Sequence, residues 1–120
     1  MPFFNAGRFI AEALESLQAQ THTNWELIAI DDYSQDNSLE IALNFAKKDK
    51  RIKIFNNKEK GILPALNLAF SKCKGKYLGR CDADDIYPPQ RLDKMVNLLK
   101  LSPPKTIVNG MVSDFSAKNV

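Results

Sequence analysis

Histidine, cysteine and long apolar runs are scarce in this chain of 120 residues, and each scarcity excludes a class of function. No apolar stretch approaches the roughly 18 residues of a membrane-spanning helix, and residues 1–15 lack the basic and apolar regions of a signal peptide. Cys73 and Cys81 lack the spacing of a metal site, so we expect reduced core thiols in a cytosolic protein. The single histidine, His22, lies in a polar stretch and is interpreted as a solvated loop residue, not a catalytic one.

The excess of basic over acidic residues is also small, because 17 lysines and arginines oppose 14 aspartates and glutamates, for a net charge of +3. A balance this weak gives no reason to expect a nucleic-acid partner. The basic run 47–51 is interpreted as a solvated helix end, not as a phosphate or membrane patch, because cations favour helix C-termini. The length and the 44% apolar content fit one soluble domain with one core.

Segments with helical periodicity alternate with short apolar runs along the chain. Strands are expected at 25–31, 51–55, 77–81 and 106–112. Helices are expected at 8–20, 36–49, 63–73 and 91–100. This order predicts a mostly parallel sheet with helices packed on it, and ligands bind such sheets at the carboxyl ends of the strands.

Particular residues are expected to bound these helices and to form their inner faces. Ser34 or Asp36 is the expected N-cap of the second helix, and Gly75 is the expected C′ residue of the third. Pro88–Pro89 suits the first turn of the fourth helix. The expected inner faces are Phe9, Ile10, Ala13, Leu14 and Leu17 in the first helix, Leu63, Leu66, Phe70 and Cys73 in the third, and Leu92, Met95, Val96 and Leu99 in the fourth.

Acidic residues cluster where two of the expected strands end. Asp31–Asp32 closes the run 25–31, and Asp82–Asp85 follows the run 77–81. Carboxylates this close repel one another unless a cation shares them. Mg²⁺ and Mn²⁺ take oxygen ligands of this kind, usually together with a phosphate-bearing substrate. The two clusters therefore favour a nucleotide site with a metal.

Both clusters also have a purely structural alternative. Asp31 and Asp32 could form a turn with a helix cap, since aspartate and serine favour such positions. Asp84 and Asp85 could be loop acids before a helix, stabilised by the helix dipole. In that case Arg80 would only balance the charge of these acids.

Short segments in a fixed order carry a resemblance to a known family. The matching segments are Pro2–Ala6, Ala13–Thr21, Trp25–Asp32, Ser34–Ser38, Gly61–Ile62, Ala65–Asn67, Gly75–Tyr77, Asp82–Asp85 and Pro89–Leu92. In their order and spacing they resemble the family 2 glycosyltransferases, which carry the GT-A nucleotide-sugar fold. The resemblance implies a three-layer α/β/α domain with a mostly parallel sheet.

The resemblance also implies a role for each matching site residue. Asp32 would meet the nucleotide base or ribose, with Asp31 beside it. Asp84 would bind the Mg²⁺ or Mn²⁺ ion that bridges the diphosphate, and Asp82, the second residue of the metal site, would lie near the ribose or a metal-bound water. The remaining residues expected to line the nucleotide-sugar pocket are Pro2, Phe3, Asn5, Gly61 and Arg80.

The implied activity is transfer of a sugar, with inversion, from a UDP-, GDP- or dTDP-type donor to a saccharide or lipid-linked acceptor. An enzyme of this hexosyltransferase type is expected to serve cell-envelope polysaccharide biosynthesis. We expect it in the cytoplasm, at the inner face of the membrane, with peripheral membrane association of the full enzyme. The alternatives are a non-catalytic nucleotide-binding fragment and another Mg-binding α/β phosphoacceptor domain. A phosphoacceptor domain of that kind would have a single aspartate at the end of a central strand and a lysine at the end of a later strand.

Residues 1–120 are expected to form a single partial GT-A domain, the donor-nucleotide-binding part, without the first strand and the acceptor half. The family's catalytic base lies downstream, and Asp93 and Asp114 are not convincing substitutes. We therefore expect this chain alone to transfer no sugar. A gap beside strand 25–31 is expected to make it marginally stable and to favour a homodimer formed through strand edges.

Overall fold

The structure, a computed structural model, describes residues 1–110 and consists of three strands and four helices. In chain order the elements are β1 (Pro2–Phe3), α1 (Ile10–Gln18), β2 (Leu27–Asp31), α2 (Ser38–Lys48), β3 (Ile52–Asn56), α3 (Ile62–Lys72) and α4 (Arg91–Lys100). Among the described residues no helix has the length and apolar character needed to span a membrane.

The three strands form one parallel sheet in the order β1-β2-β3. Phe3 lies opposite Asp31, and Asp31 lies opposite Asn56, so the last residues of the three strands are level. The loops that follow the strands therefore leave the sheet at one common edge. This is the edge at which parallel α/β sheets bind ligands.

The central strand β2 is buried along its whole length and faces helices on both sides. Leu27 and Ala29 belong to a core cluster with residues of α1 and α2, and Ile28 and Ile30 belong to a second cluster with residues of α3. Successive side chains of a strand point to opposite faces, so one short strand supplies both cores. The expected three-layer α/β/α arrangement with a parallel sheet is confirmed.

The inner face expected for α1 agrees with the structure at four of its positions. Ile10, Ala13, Leu14 and Leu17 are buried, whereas Phe9 precedes the helix and is exposed. The expected inner residues of α4 are only half-buried, and no residue of that helix is fully buried.

The inner face predicted for α3 is wrong at Leu63 and Phe70, whereas Leu66 is half-buried and Cys73, just after the helix, packs against the core as predicted. Leu63 is 69% exposed and Phe70 is 67% exposed, while Ala65 and Ala69 are buried against Ile28 and Ile30. Small side chains let this helix approach the sheet closely, so its large residues point outward.

The predicted C-terminus of α3 is also wrong. The helix ends at Lys72. The next residue, Cys73, has an extended backbone and lies two residues before Gly75. Gly75 does not have the positive φ of a C′ glycine. Among residues 1–110, the one glycine with a positive φ is Gly61, which precedes α3.

Two predicted strands are absent from the described residues. The run 77–81 forms no strand and exposes Leu78, Gly79 and Arg80, and residues 106–110 are irregular, while 111–112 lie outside the described residues. A strand needs backbone partners from a neighbour, and β1 at that side of the sheet spans two residues. That short strand pairs with β2 where the sequence predicts a gap.

At the end of the sheet where β3 begins, Asp49 and Arg51 fix the segment between α2 and β3. The Asp49 carboxylate accepts hydrogen bonds from Nε and Nη2 of Arg51, at 3.0 and 2.8 Å, and from Nε2 of Gln18 at 3.1 Å. The guanidinium of Arg51 lies 3.9 Å from the ring centre of Trp25, which packs against the core. These contacts, led by the Arg51 bond, hold the pKa of Asp49 well below its usual range.

We expect Asp49→Asn to lower the free energy of unfolding by about 1–3 kcal/mol at pH 7. Because the folded-state pKa is depressed, the ionised carboxylate stabilises the fold above its unfolded pKa of about 3.9, and this stabilisation is lost as the pH falls below that value. Urea unfolding at pH 7 and pH 3, with Glu40→Gln on the exposed surface of α2 as the matched control, measures this. A stability difference between variant and wild type that is the same at both pH values would contradict the prediction.

Candidate active site

Two clefts open at the edge where the strands end, one on each side of Asp31–Asp32. The first has a volume of about 230 Å³. Its lining residues are Asp31, Tyr33, Leu39, Asn56 and Asn57. The second has a volume of about 220 Å³. Its lining residues are Pro2, Phe3, Phe4, Asp32, Ile62 and Ala65. The structure thus brings Pro2, Phe3 and Asp32, three of the predicted site residues, to one cleft.

Asp32 is held in place by the loop between β3 and α3. Its Oδ1 accepts hydrogen bonds from Nδ2 of Asn57 at 2.8 Å and from the backbone N–H of Gly61 at 3.0 Å, and its Oδ2 lies 3.1 Å from the same Gly61 nitrogen. Gly61 adopts φ 129°, a conformation that side chains rarely allow. The predicted site residues Asp32 and Gly61 are therefore in direct contact, and the carboxylate has a fixed orientation.

Asn57 is a site residue that the sequence analysis missed. It is 6% exposed, and its Nδ2 also donates to the carbonyl of Gly61 at 3.1 Å while its Oδ1 accepts from the N–H of Lys58 at 3.0 Å. Its own backbone N–H donates to the carbonyl of Asp31 at 2.8 Å. The signal in the sequence is its position directly after β3, where a polar residue arrives at the same edge as Asp31–Asp32.

Asp31 is buried and helps to form a tight turn. Both of its carboxylate oxygens lie 3.3 Å from the backbone N–H of Ser34, across Tyr33, which has a positive φ of 64°. The Tyr33 hydroxyl donates to the carbonyl of Lys58 at 3.3 Å. The turn that the sequence analysis offered as an alternative is present at Asp31, and the same residue lines the first cleft.

Asn5 ties the loop after β1 to the loop after β2. Its N–H donates to Oγ of Ser34 at 3.1 Å, and its Oδ1 accepts from the N–H of Gln35 at 2.8 Å. The predicted N-cap of α2, Ser34 or Asp36, is wrong, because Asn37 occupies that position. Asp36 nevertheless accepts the N–H of Ser38 at 3.0 Å, and its other oxygen accepts the N–H of Gly7 at 2.9 Å. Asn5 therefore shapes the edge beside Asp32 through the backbone of the neighbouring loop.

The acidic turn, residues Asp82–Asp85, follows an irregular segment instead of the predicted strand. Ala83 is buried, whereas Asp84 and Asp85 are exposed. Arg80 Nε lies 3.4 Å from Oδ1 of Asp82, so these two predicted site residues form an ion pair. Partial desolvation, followed by the charges of Asp82 and Asp84, raises the pKa of Asp85, although its side chain is largely exposed.

The carboxylates of the acidic turn fit a divalent cation only as a shared site. Within residues 1–110, no three histidine, cysteine or acidic side chains converge in a way that could hold a metal by themselves. Mg²⁺ is commonly held by one or two carboxylates together with substrate phosphates and water. Asp82 and Asp84 are two carboxylates of this kind, and Arg80 already forms an ion pair with Asp82.

The acidic turn and the Asp32 group are two separate sets of contacts. Among the described residues, no hydrogen bond or ion pair joins Asp82 or Asp84 to Asp31 or Asp32. The acidic turn is instead attached to α1 through Tyr87, which is bound by Ser16 and Gln20. A ligand that uses both sets would have to span them.

Comparison with protein-family models gives a match over nearly the whole chain. The model described as "Glycosyl transferase family 2" matches residues 1–119. The chain belongs to this family. Membership agrees with the ordered motifs, from Pro2–Ala6 to Pro89–Leu92, that carry the resemblance in the sequence.

Relatives with known names belong to the same class of enzyme. The chain is 41% identical over 102 residues to the putative glycosyltransferase EpsE of Bacillus subtilis, a match that covers 83% of this chain and 37% of EpsE. It is 35% identical over 100 residues to WfgD of Escherichia coli, named a UDP-Glc:α-D-GlcNAc-diphosphoundecaprenol β-1,3-glucosyltransferase, covering 82% of this chain and 39% of WfgD. The chain therefore spans less than two fifths of the length of these relatives.

A solved structure confirms the GT-A fold. The mannosyltransferase PcManGT of Pyrobaculum calidifontis, in complex with GDP-Man and Mn²⁺, superposes with a TM-score of 0.73 at 25% identity. The match covers 86% of this chain and 31% of that protein. A donor nucleotide sugar and a divalent cation are thus bound together by a protein that shares this fold.

We expect Gly61→Ala to destabilise the chain by at least about 1 kcal/mol, because alanine tolerates φ 129° poorly. The added methyl group would meet nothing closer than Pro64 Cδ at 3.5 Å, so the backbone conformation, not a clash, is the cause. Gly79→Ala is the matched control, because its methyl group would have no atom within 4 Å. Thermal unfolding of the two variants measures the difference, and equal stability of both would contradict the strain at Gly61.

Proposed function

We propose that this chain is the donor-binding part of an inverting glycosyltransferase that moves a sugar from a nucleotide-diphosphate sugar to a saccharide or lipid-linked acceptor. The observation that carries the proposal is the Asp32 carboxylate, held by Asn57 and Gly61 between two clefts at the carboxyl edge of the sheet. In a chain of this family, a fixed acceptor at that edge suits the nucleoside of the donor.

Asp32 is proposed to bind the base or the ribose, because a carboxylate only accepts hydrogen bonds and both of these groups offer donors. Pro2, Phe3 and Phe4 form the apolar wall of the cleft beside it, and Asp31 and Asn57 line the cleft on its other side. The name of WfgD includes UDP-Glc, and PcManGT was solved with GDP-Man, so both donor types occur among related proteins.

Asp84, with Asp82, is proposed to hold Mg²⁺ or Mn²⁺ together with the donor diphosphate. Asp84 is exposed, while Asp82 is partly neutralised by Arg80. When bound, the cation stabilises the negative charge that develops on the departing diphosphate. The Mn²⁺ in PcManGT supports the use of such an ion within this fold.

The acceptor class and the cellular location are proposed from the family to which the chain belongs. WfgD is named for a diphosphoundecaprenol-linked acceptor, and an acceptor of this lipid-linked class suits a cytoplasmic enzyme working at the inner face of the membrane. No catalytic base is assigned within residues 1–110. Asp93 is engaged by the Thr21 hydroxyl and lies 3.4 Å from Nδ1 of His22, and Asp114 lies outside the described residues.

We expect the affinity of the chain for its nucleoside diphosphate to increase with Mn²⁺, and Asp84→Asn to remove at least about a tenfold gain, as loss of a metal ligand does. Calorimetric titration of UDP, GDP and dTDP with and without Mn²⁺ measures both effects. Glu40→Gln, an exposed change on α2, is the control and should keep the full gain. The same affinity with and without Mn²⁺ would rule out the metal role.

Asp32→Asn is expected to weaken nucleoside diphosphate binding by roughly tenfold to a hundredfold, because a charged acceptor is replaced by a neutral amide. The loss should be the same in the presence and absence of Mn²⁺, since Asp32 is not part of the acidic turn. The same titrations separate the two roles, with thermal unfolding to correct for stability. If Asp32→Asn bound the diphosphate as tightly as wild type, Asp32 would not contact the nucleoside.

A further inference from the structure

The side chain of Tyr87 lies beneath the acidic turn and binds its backbone. Tyr87 is 5% exposed. Its hydroxyl accepts the backbone N–H of Asp82 at 2.6 Å and donates to the backbone carbonyl of Asp82 at 2.7 Å. One hydroxyl group thus satisfies both main-chain groups of Asp82. The guanidinium of Arg91 lies 4.8 Å from the centre of the same ring.

The position of this hydroxyl is set by helix α1. The N–H of Tyr87 donates to Oγ of Ser16 at 3.0 Å, and that hydroxyl donates to the carbonyl of Ala13 at 2.7 Å. The amide of Gln20, itself buried, donates to the carbonyls of Tyr87 and Pro88 at 3.4 and 2.8 Å. A rigid element of the core therefore fixes where Tyr87 holds Asp82.

The acidic turn has few other main-chain supports. It follows no strand, so a β-ladder does not anchor it. Its internal bond, from the N–H of Asp85 to the carbonyl of Asp82, is long at 3.4 Å. The two bonds to the Tyr87 hydroxyl are much shorter, and hydrogen-bond strength falls steeply with distance. Tyr87 supplies the fixed backbone that a strand end would supply in a longer sheet.

Tyr87 is suited to this double role because its side chain ends in a hydroxyl group, which has a proton to donate and lone pairs to accept. A protonated phenol can accept from an N–H and donate to a carbonyl at once, whereas a phenolate could only accept.

We propose that Tyr87 is a positioning residue whose hydroxyl fixes the backbone of Asp82, and so directs the carboxylates of Asp82 and Asp84 towards the divalent cation of the donor diphosphate. The inference rests on the proposed function of the acidic turn. Outer groups that orient metal ligands commonly change metal affinity by about 10–100-fold when they are removed.

The test compares the gain in UDP affinity that Mn²⁺ provides in wild type and in three variants, with GDP and dTDP titrated in parallel. Tyr87→Phe removes the hydroxyl and keeps the ring. Gln20→Ala weakens the same junction with α1 without touching Asp82. Tyr77→Phe removes a hydroxyl that forms no hydrogen bond within residues 1–110.

We expect Tyr87→Phe to reduce the Mn²⁺ gain about tenfold while UDP binding without Mn²⁺ stays within about twofold of wild type. Gln20→Ala loosens the junction that holds the Tyr87 backbone, so it should lower the unfolding temperature and reduce the gain by less than Tyr87→Phe does, and Tyr77→Phe should change neither. A full gain in Tyr87→Phe, or an equal loss in Tyr77→Phe, would overturn the positioning role alone. If wild type itself showed no gain, the metal role of Asp84 would fail, and this inference would fail with it.

Hydrogen exchange of the Asp82 amide gives a second readout that needs no ligand. In wild type this amide should be protected, because its acceptor is the buried Tyr87 hydroxyl. In Tyr87→Phe it should exchange as fast as an open loop amide, with the core of β2 still protected. An unprotected Asp82 amide in wild type would overturn the inference even if the variant could not be purified.

Discussion

The pairing of β2 with both of its neighbours is the constraint on which the rest of the structure depends. This strand is hydrogen-bonded to β1 and β3 and is buried on both faces, so its register leaves no freedom to slip. Its last residue is Asp31, and Asp32 follows directly. The position of the candidate site is therefore set by the most constrained strand of the sheet, and the loops only adjust the orientation of its side chains.

The sequence predicts the parts of the fold that depend on local pattern. An apolar run ending in two acids is sufficient to locate β2, and helical spacing is sufficient to locate α1. The run 77–81 has a similar composition but finds no neighbouring backbone to pair with, and pairing is not encoded in the run itself. Helical spacing predicts that Leu63 and Phe70 are buried because large apolar residues usually are, whereas α3 packs on the sheet through Ala65 and Ala69.

The residues of the candidate site also divide into those that the sequence predicts and those that it does not. Asp31, Asp32 and the acidic turn are visible because acidic residues directly after apolar runs are unusual. Asn57 and Tyr87 are not visible, because each acts through a hydrogen bond to a residue distant in the sequence or to a backbone group. Such roles depend on three-dimensional proximity, and a buried asparagine or tyrosine has no distinctive pattern of neighbours in the chain.

The hydrogen bonds that reach Asp32 from Asn57 and Gly61 bear on the entropy of ligand binding. A surface carboxylate loses rotamer freedom when it binds a partner, at a cost of roughly 0.5–1.5 kcal/mol per immobilised side chain. Asp32 is already ordered by the β3–α3 loop, so a ligand that donates a hydrogen bond to it would meet a preorganised acceptor. Affinity at this position can therefore be tuned by residues of that loop that never touch the ligand.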